Sequence, residues 1–167
     1  EWGNEYFEYL NASTSPMTIT YGWGPGRSIK NGYMFGFDRY MEMLVEEPGL
    51  LEEVFDFWAG YIITSLGSYA DRLKIDAVYF AEDGMGYKTS TLVSPAMFRK
   101  IYMPYMRKVV DFLHSKGIYL VGYYSSGNLE PLIPCFLDTG INIIAPVECA
   151  AGMDAIEFRK KFGKELR

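Results

Sequence analysis

Three short runs of this chain carry the side chains that could do chemistry. Glu82-Asp83 opens a glycine-broken loop, Tyr123-Tyr124-Ser125-Ser126-Gly127-Asn128 is rich in hydroxyl and amide groups, and Glu148 stands next to Cys149. Two or more carboxylates at one site can act as general acid and base, hold a metal, or orient cationic nitrogens of a substrate. The same acids can instead cap helices or accept hydrogen bonds from loop amides. Arg27, in the Gly22-Trp23-Gly24-Pro25-Gly26-Arg27 loop, is a candidate partner for a substrate carboxylate. That loop is no dinucleotide fingerprint, because Arg27 stands where the third glycine of the motif should fall.

Catalytic zinc usually takes three protein ligands from His, Cys and carboxylate. No His stands near these runs, and Cys149 reads as a small buried hydrophobe on cysteine's burial preference. The single His114 falls in a helix's last turn beside Lys116, where a cation suits the helix dipole. It is expected on the surface and is a poor general base.

The elements that must position these runs alternate in type. Met17 to Tyr21 reads as a strand, and Phe37 to Glu47 as a short helix halted by Pro48. Leu51, Val54/Phe55, Trp58, Ile62, Leu66 and Tyr69 recur at helical spacing, giving an apolar stripe suited to packing on a sheet. Val78 to Ala81 is a second strand, ending at Glu82. Ser94-Pro95 then starts a helix, with Ser as N-cap, Pro104 kinking its interior and Gly117 as its left-handed stop. Ile118 to Gly122 is a third strand, Leu129 to Thr139 a helix stopped by Gly140, and Ile141 to Pro146 a fourth strand. Asp154 can cap a last helix running to Phe162, and the first residues, EWGNEYFEYL, suit an amphipathic helix. Strand, helix, strand, helix with short connections is the signature of parallel βαβ units. All three chemical runs then lie at strand carboxyl ends, where parallel α/β folds bind ligands.

Composition narrows the class. A chain of 167 residues with 49% hydrophobic and 17% aromatic content can bury a core and is no disordered polymer. A net charge of −5 and no basic stripe argue against nucleic acid or an anionic membrane surface as partner. Two cysteines, with no spacing for a disulfide framework, fit a reducing cytoplasmic compartment.

The segments EDGMGYKTSTLVSPAMFRKIYMPYMRKVVDFLHSKG and YYSSGNLEPLIPCFLDTGINIIAPVECAAGMDAIEFRKKFGKEL resemble the uroporphyrinogen decarboxylase superfamily, which includes cobalamin-dependent methyltransferases. The S-P-x-x-F-R-x-x-x-x-P-Y run and the Gly127-Asn128 and Gly152-Met153-Asp154 turns carry the resemblance. It implies a TIM barrel with its site at the strands' carboxyl ends and a small-molecule substrate, a tetrapyrrole or a methylated compound. A cofactor-free carboxy-lyase acting on a tetrapyrrole is the first expectation, with a corrinoid-dependent methyltransferase or a catalytically inactive ligand-binding module as alternatives. By their place at the strand carboxyl ends and neighbouring loops, Glu82 and Asp83 are candidate catalytic residues, and Arg27, Tyr124, Ser126, Asn128 and Glu148 candidate substrate-binding residues. Zinc methyltransferases of the superfamily carry a His-x-Cys pair where this chain has Tyr124 and Ser126, which disfavours zinc and cobalamin here.

An eight-stranded barrel takes about 250 residues. Four strands leave two edges with unpaired backbone groups. Residues 1–167 are therefore expected to form one partial barrel domain, an internal piece of a longer protein, inactive by itself and inclined to assemble edge to edge into a homo-oligomer.

Overall fold

The computed structural model describes residues 4–23, 35–82 and 85–167. Among them four strands form one parallel sheet, β1 (Thr18–Gly22), β2 (Ala77–Ala81), β3 (Leu120–Tyr124) and β4 (Ile143–Ala145), in the order β1-β2-β3-β4. Parallel neighbours need crossover connections, and these are right-handed almost without exception. When strand order follows chain order, right-handed crossovers put every connecting helix on the same face of the sheet. A doubly wound fold would reverse direction part-way; this sheet does not, which is the arrangement of a (β/α)8 barrel wall.

Strand residues alternate between the two faces. Val78, Phe80, Val121, Tyr123 and Ile144 point to the helix layer and are buried. Thr20, Tyr79, Gly122 and Ile143 share one register row on the other face, and Gly22, Ala81, Tyr124 and Ala145 share the next. That second face corresponds to the inside of a barrel. Thr20 and Tyr124 are exposed on it.

The helices, among the described residues, are α1 (Asn4–Asn11), which buries no residue and bonds to Arg72 and Lys74 ahead of β2, then α2 (Phe37–Glu46), α3 (Pro48–Gly67), α4 (Pro95–Met97), α5 (Met103–Ser115), α6 (Ile133–Thr139) and α7 (Ala155–Phe162). The apolar stripe of α3 buries Leu51, Phe55, Ile62 and Leu66, and its Phe55 ring meets Tyr102 at 4.8 Å between centroids. The expected caps form: Ser94 Oγ accepts from the Met97 N–H, and Asp154 accepts from the Ile156 and Glu157 N–H groups. Pro104 has no N–H to donate into the previous turn, and the preceding residues Phe98–Tyr102 widen into a π turn that joins α4 to α5.

Five expectations need adjusting. β3 starts two residues late, because Gly117 adopts φ 78° and Ile118 donates its N–H back to Leu113, so Ile118 belongs to the helix end. β4 is confined to three residues, since Ile141 N–H closes the α6 terminus and Pro146 has no N–H to continue the ladder. The Leu129 to Thr139 helix opens as a 3-10 turn at Glu130–Leu132, before Pro134. Cys149 is exposed, not buried, because it lies in a 3-10 turn beyond the sheet. His114 is half-buried, with its ring 5.3 Å from Tyr119 at the amino end of β3, away from the strand carboxyl ends.

Candidate functional site

The two-residue alternation decides what Glu82 can do. Its backbone N–H bonds to Tyr124 O, continuing the sheet by one residue, so its side chain follows Phe80 and Val78 to the helix side. There it is fully buried, and Tyr123 Oη donates to its Oε2 at 2.7 Å. Its Oε1 is buried without a hydrogen-bond partner among the described residues. Burial pushes the carboxyl up to about 8, and the Tyr123 hydrogen bond partly opposes the rise. Near neutral pH Glu82 therefore keeps its proton, since a lone buried carboxylate is far costlier than a neutral acid.

Two further phenols complete this cluster. Tyr40 from α2 and Tyr102 from the π turn are hydrogen-bonded to each other and buried. Burial, with the field of Glu82, holds the hydroxyls of Tyr40, Tyr102 and Tyr123 well above the ordinary tyrosine range. They act as neutral donors and acceptors. Trp23, one residue past β1, packs on Phe80 at 5.3 Å, and its buried Nε1 has no hydrogen-bond partner among the described residues.

The other candidates lie in loops stitched together at the strand carboxyl ends. Ser125 Oγ accepts from the Met85 N–H at 3.0 Å, and Asn128 N–H bonds to Tyr87 O at 2.8 Å. The two loops cross at Gly86 and Gly127, where a Cβ on Gly127 would fall 2.5 Å from Gly86 C and a Cβ on Gly86 would fall 2.4 Å from Ser126 O. Only glycines permit that approach. Glu148 Oε2 accepts from the Gly127 N–H at 2.7 Å, and the Asn128 side chain donates to Ala151 O while its Oδ1 accepts from the Glu130 N–H. Glu148 and Asn128 thus bind loop backbone, the role carboxylates and amides readily take there. Ser126 is half-buried between them, and its carbonyl accepts from Ser125 Oγ.

Tyr124 alone of the described candidates stands on the inner face with much of its surface open, at 46% exposure. One row deeper, Tyr79 lies across Gly122, where a Cβ would fall 2.3 Å from two of its ring carbons. Asp83 and Arg27 lie outside the described residues. The structure therefore divides the candidates between a sealed acid behind the sheet, a loop network at the rim, and an aromatic inner face.

A family model for uroporphyrinogen decarboxylase (URO-D) matches residues 28–161. The chain belongs to the URO-D family. In fold it is similar to a methyltransferase from Methanosarcina mazei, at a TM-score of 0.69 and 16% identity, over 98% of this chain and 44% of that one. The chain spans less than half the length of that protein. No curated protein matches it. The family includes zinc and corrinoid enzymes, as the sequence resemblance implies, so the donor set is worth testing. Among the described residues no three His, Cys, Asp or Glu side chains converge as metal ligands. Tyr124 and Ser126 offer a phenol and a hydroxyl where a thiolate-binding zinc would need imidazole and thiolate, and His114 is at the wrong end of the sheet. These residues do not fit zinc, and none supplies an imidazole to a corrinoid. No helix among the described residues is long and apolar enough to cross a membrane.

The residues missed by sequence reading are Tyr123, Tyr40, Tyr102 and Tyr79. A strand over Ile118 to Gly122 leaves Tyr123 in the loop after it; the alternation Val121, Tyr123 is readable only with the strand two residues later. Tyr40 and Tyr102 lie 62 residues apart, and nothing local signals their pairing.

Two outcomes follow from this geometry. Glu82 binds its proton in the folded chain at pH values where the unfolded chain, near 4.5, has released it. Its contribution to stability is thus full below about pH 4.5 and falls as pH rises through about 8, by at most about 1.4 kcal/mol per pH unit. Thermal melts from pH 5 to 9 should show this decline, Glu82→Gln should flatten it, and Tyr123→Phe should lower stability by about 1–3 kcal/mol and carry the decline to higher pH. An unchanged pH slope in the Gln variant would refute the buried-acid assignment. At the loop crossing, Gly127→Ala should destabilise more than Gly152→Ala in denaturant titrations, because both positions have positive φ but only Gly127 has backbone within reach of the new Cβ. Equal costs would mean that the loops do not need the close approach.

Proposed function

We propose that this chain forms part of the substrate-binding wall of a URO-D-family enzyme, with the small molecule held against the inner sheet face at the carboxyl ends of β2, β3 and β4. The observation that carries this reading is the split between the two faces. The helix side is closed by packed aromatic rings, whereas the inner side presents Tyr124 at 46% exposure beside small Ala81 and Ala145.

Between the two chemistries of the superfamily, the described residues favour transfer from a methylated compound. A tetrapyrrole carries several carboxylates and needs guanidinium or ammonium partners. No Lys or Arg occurs on β1–β4, in the 125–128 run or in the 146–149 run. A methyl donor needs an apolar or aromatic seat and, if its leaving group is an alkoxide, a proton. Ser126 at the rim is one candidate to deliver that proton, and Asp83 is the other by its residue type. Glu82, sealed from the inner face, acts by holding Tyr123 and the end of β2 in place. A corrinoid, when bound, would supply the methyl acceptor; nothing in this chain is assigned to hold it.

Tetrapyrrole decarboxylation is the second reading, favoured by Arg27 as a carboxylate partner and by the replacement of the His-x-Cys pair with Tyr124 and Ser126. The full-length protein incubated separately with uroporphyrinogen and with a reduced corrinoid plus methylated donors separates the two. Methylcorrinoid formation is the expected result, loss of carbon dioxide from the porphyrinogen would support the second reading, and turnover of neither would overturn both in favour of a binding module.

A further inference from the structure

We propose that the outward face of α3 is an interface with a second copy of this chain, in which Phe57 of each copy seats on Gly60 of the other across a two-fold axis. The proposal is independent of the binding-wall reading. Contacts fix the other three sides of α3. Leu51, Phe55, Ile62 and Leu66 are buried toward the sheet. On one flank Asp56 pairs with Lys108 of α5, and on the other Trp58 Nε1 donates to Gly22 O at 2.8 Å and Ser65 Oγ bonds to Tyr21 Oη at 2.9 Å. With 3.6 residues per turn, Leu50, Glu53, Phe57, Gly60 and Thr64 then point away from the sheet and from both flanks. Further barrel wall would adjoin the β1 flank, so the exposure of this outward face does not depend on it.

Phe57 is 71% exposed, and Leu50 and Tyr61 at the borders of this face are 45% and 53% exposed. The run from Phe57 to Gly67, FWAGYIITSLG, contains no charged residue, so that half of α3 is apolar nearly all round, the pattern of a helix covered on both sides. Gly60 interrupts the helix interior, where glycine is weaker than alanine, yet nothing among the described residues lies within 4 Å of the place a Cβ would take. No contact within the described chain requires that glycine, whereas close approach from outside does.

The occupant follows from the symmetry of the pattern. An antiparallel pairing about an axis between residues 57 and 60 lays each Phe57 ring on the partner's Gly60, Leu50 on the partner's Gly67 and Glu53 beside the partner's Thr64. The acidic half of α3, with Glu52, Glu53 and Asp56, then meets the uncharged half, and no like charges oppose. A parallel pairing would set Glu53 against Glu53 and leave both glycine gaps unfilled. Taking about 150–250 Å² for an aromatic side chain, Phe57, Tyr61, Leu50 and the half-buried Val54 offer roughly 400 Å² of apolar surface per copy. Two copies bring about 800 Å², and at an apolar share of about 65% the interface totals about 1,200 Å², which reaches the size of a stable dimer contact.

Analytical ultracentrifugation of the full-length protein tests the assignment. A dimer is expected, and Phe57→Glu should raise its dissociation constant at least tenfold, while Ile156→Glu, similarly exposed but on α7, should leave it within about threefold. Because Phe57 is exposed, its Glu variant should fold as the parent does, which circular dichroism checks. Gly60→Ala separates an interface from a merely structural glycine. Its methyl should raise the melting temperature at concentrations where both proteins are monomeric, through better helix propensity, and yet weaken the dimer at least tenfold. A monomeric parent protein would overturn the proposal, whether Phe57→Glu then changes nothing or unfolds it because another segment of the protein covers α3. A dimer that survives Phe57→Glu, or that Gly60→Ala leaves as tight or tighter, would overturn it as well.

Discussion

The structure depends on one constraint, the side-by-side parallel pairing of four strands in chain order. Each crossover then returns on the same side, so a single helix layer covers one face and the other is left to ligand or to further barrel wall. Everything else follows from which parity a residue has. Tyr123 and Tyr124 are adjacent in the chain, yet the first is buried against Phe136 and hydrogen-bonded to Glu82 while the second stands open on the inner face. A shift of one residue in β3 would exchange them, burying the open phenol and exposing the partner of Glu82.

That parity also explains how a carboxylic acid can sit at full burial with no cation beside it among the described residues. Tyr123 supplies one hydrogen bond, the surrounding rings exclude water, and the acid responds by keeping its proton instead of demanding a countercharge. The arrangement stabilises the end of β2 most strongly at low pH. Directly above it, the glycine crossing of Gly86 with Gly127 and the Glu148 bond to Gly127 tie three loops into one rim. The acid and the rim are thus separate devices at one end of the sheet, one rigidifying from behind and one from above.

Most of the framework was legible in the sequence because local rules govern it. Ser94-Pro95, Asp154, Gly117 and Gly140 are signals whose physics is confined to a few residues, and each does in the structure what its chemistry requires. The parallel order was legible because strands and helices alternate with short connections. The face assignment was not. Placing β3 at Ile118 ignored that a left-handed glycine draws the next N–H back to the helix, and that error put Tyr124 beyond the strand. The candidate acids were visible as strand-end carboxylates, but burial of Glu82 depends on Tyr40, Tyr102 and Tyr123 arriving from three distant elements, which no short-range pattern encodes. Cys149 was misjudged for the opposite reason, since a residue-type preference for burial carries no information about a turn outside the sheet.

The central claim is that ligand meets the inner face of the sheet, not the sealed cluster behind it. Tyrosine nitration of the full-length protein, read residue by residue by mass spectrometry with and without ligand, tests this directly. The account predicts that Tyr124 and Tyr79 are modified in the free protein and protected by ligand, while Tyr40, Tyr102 and Tyr123 stay unmodified in both states. Ligand-dependent protection confined to tyrosines of the helix layer, with Tyr124 and Tyr79 unaffected, would contradict it.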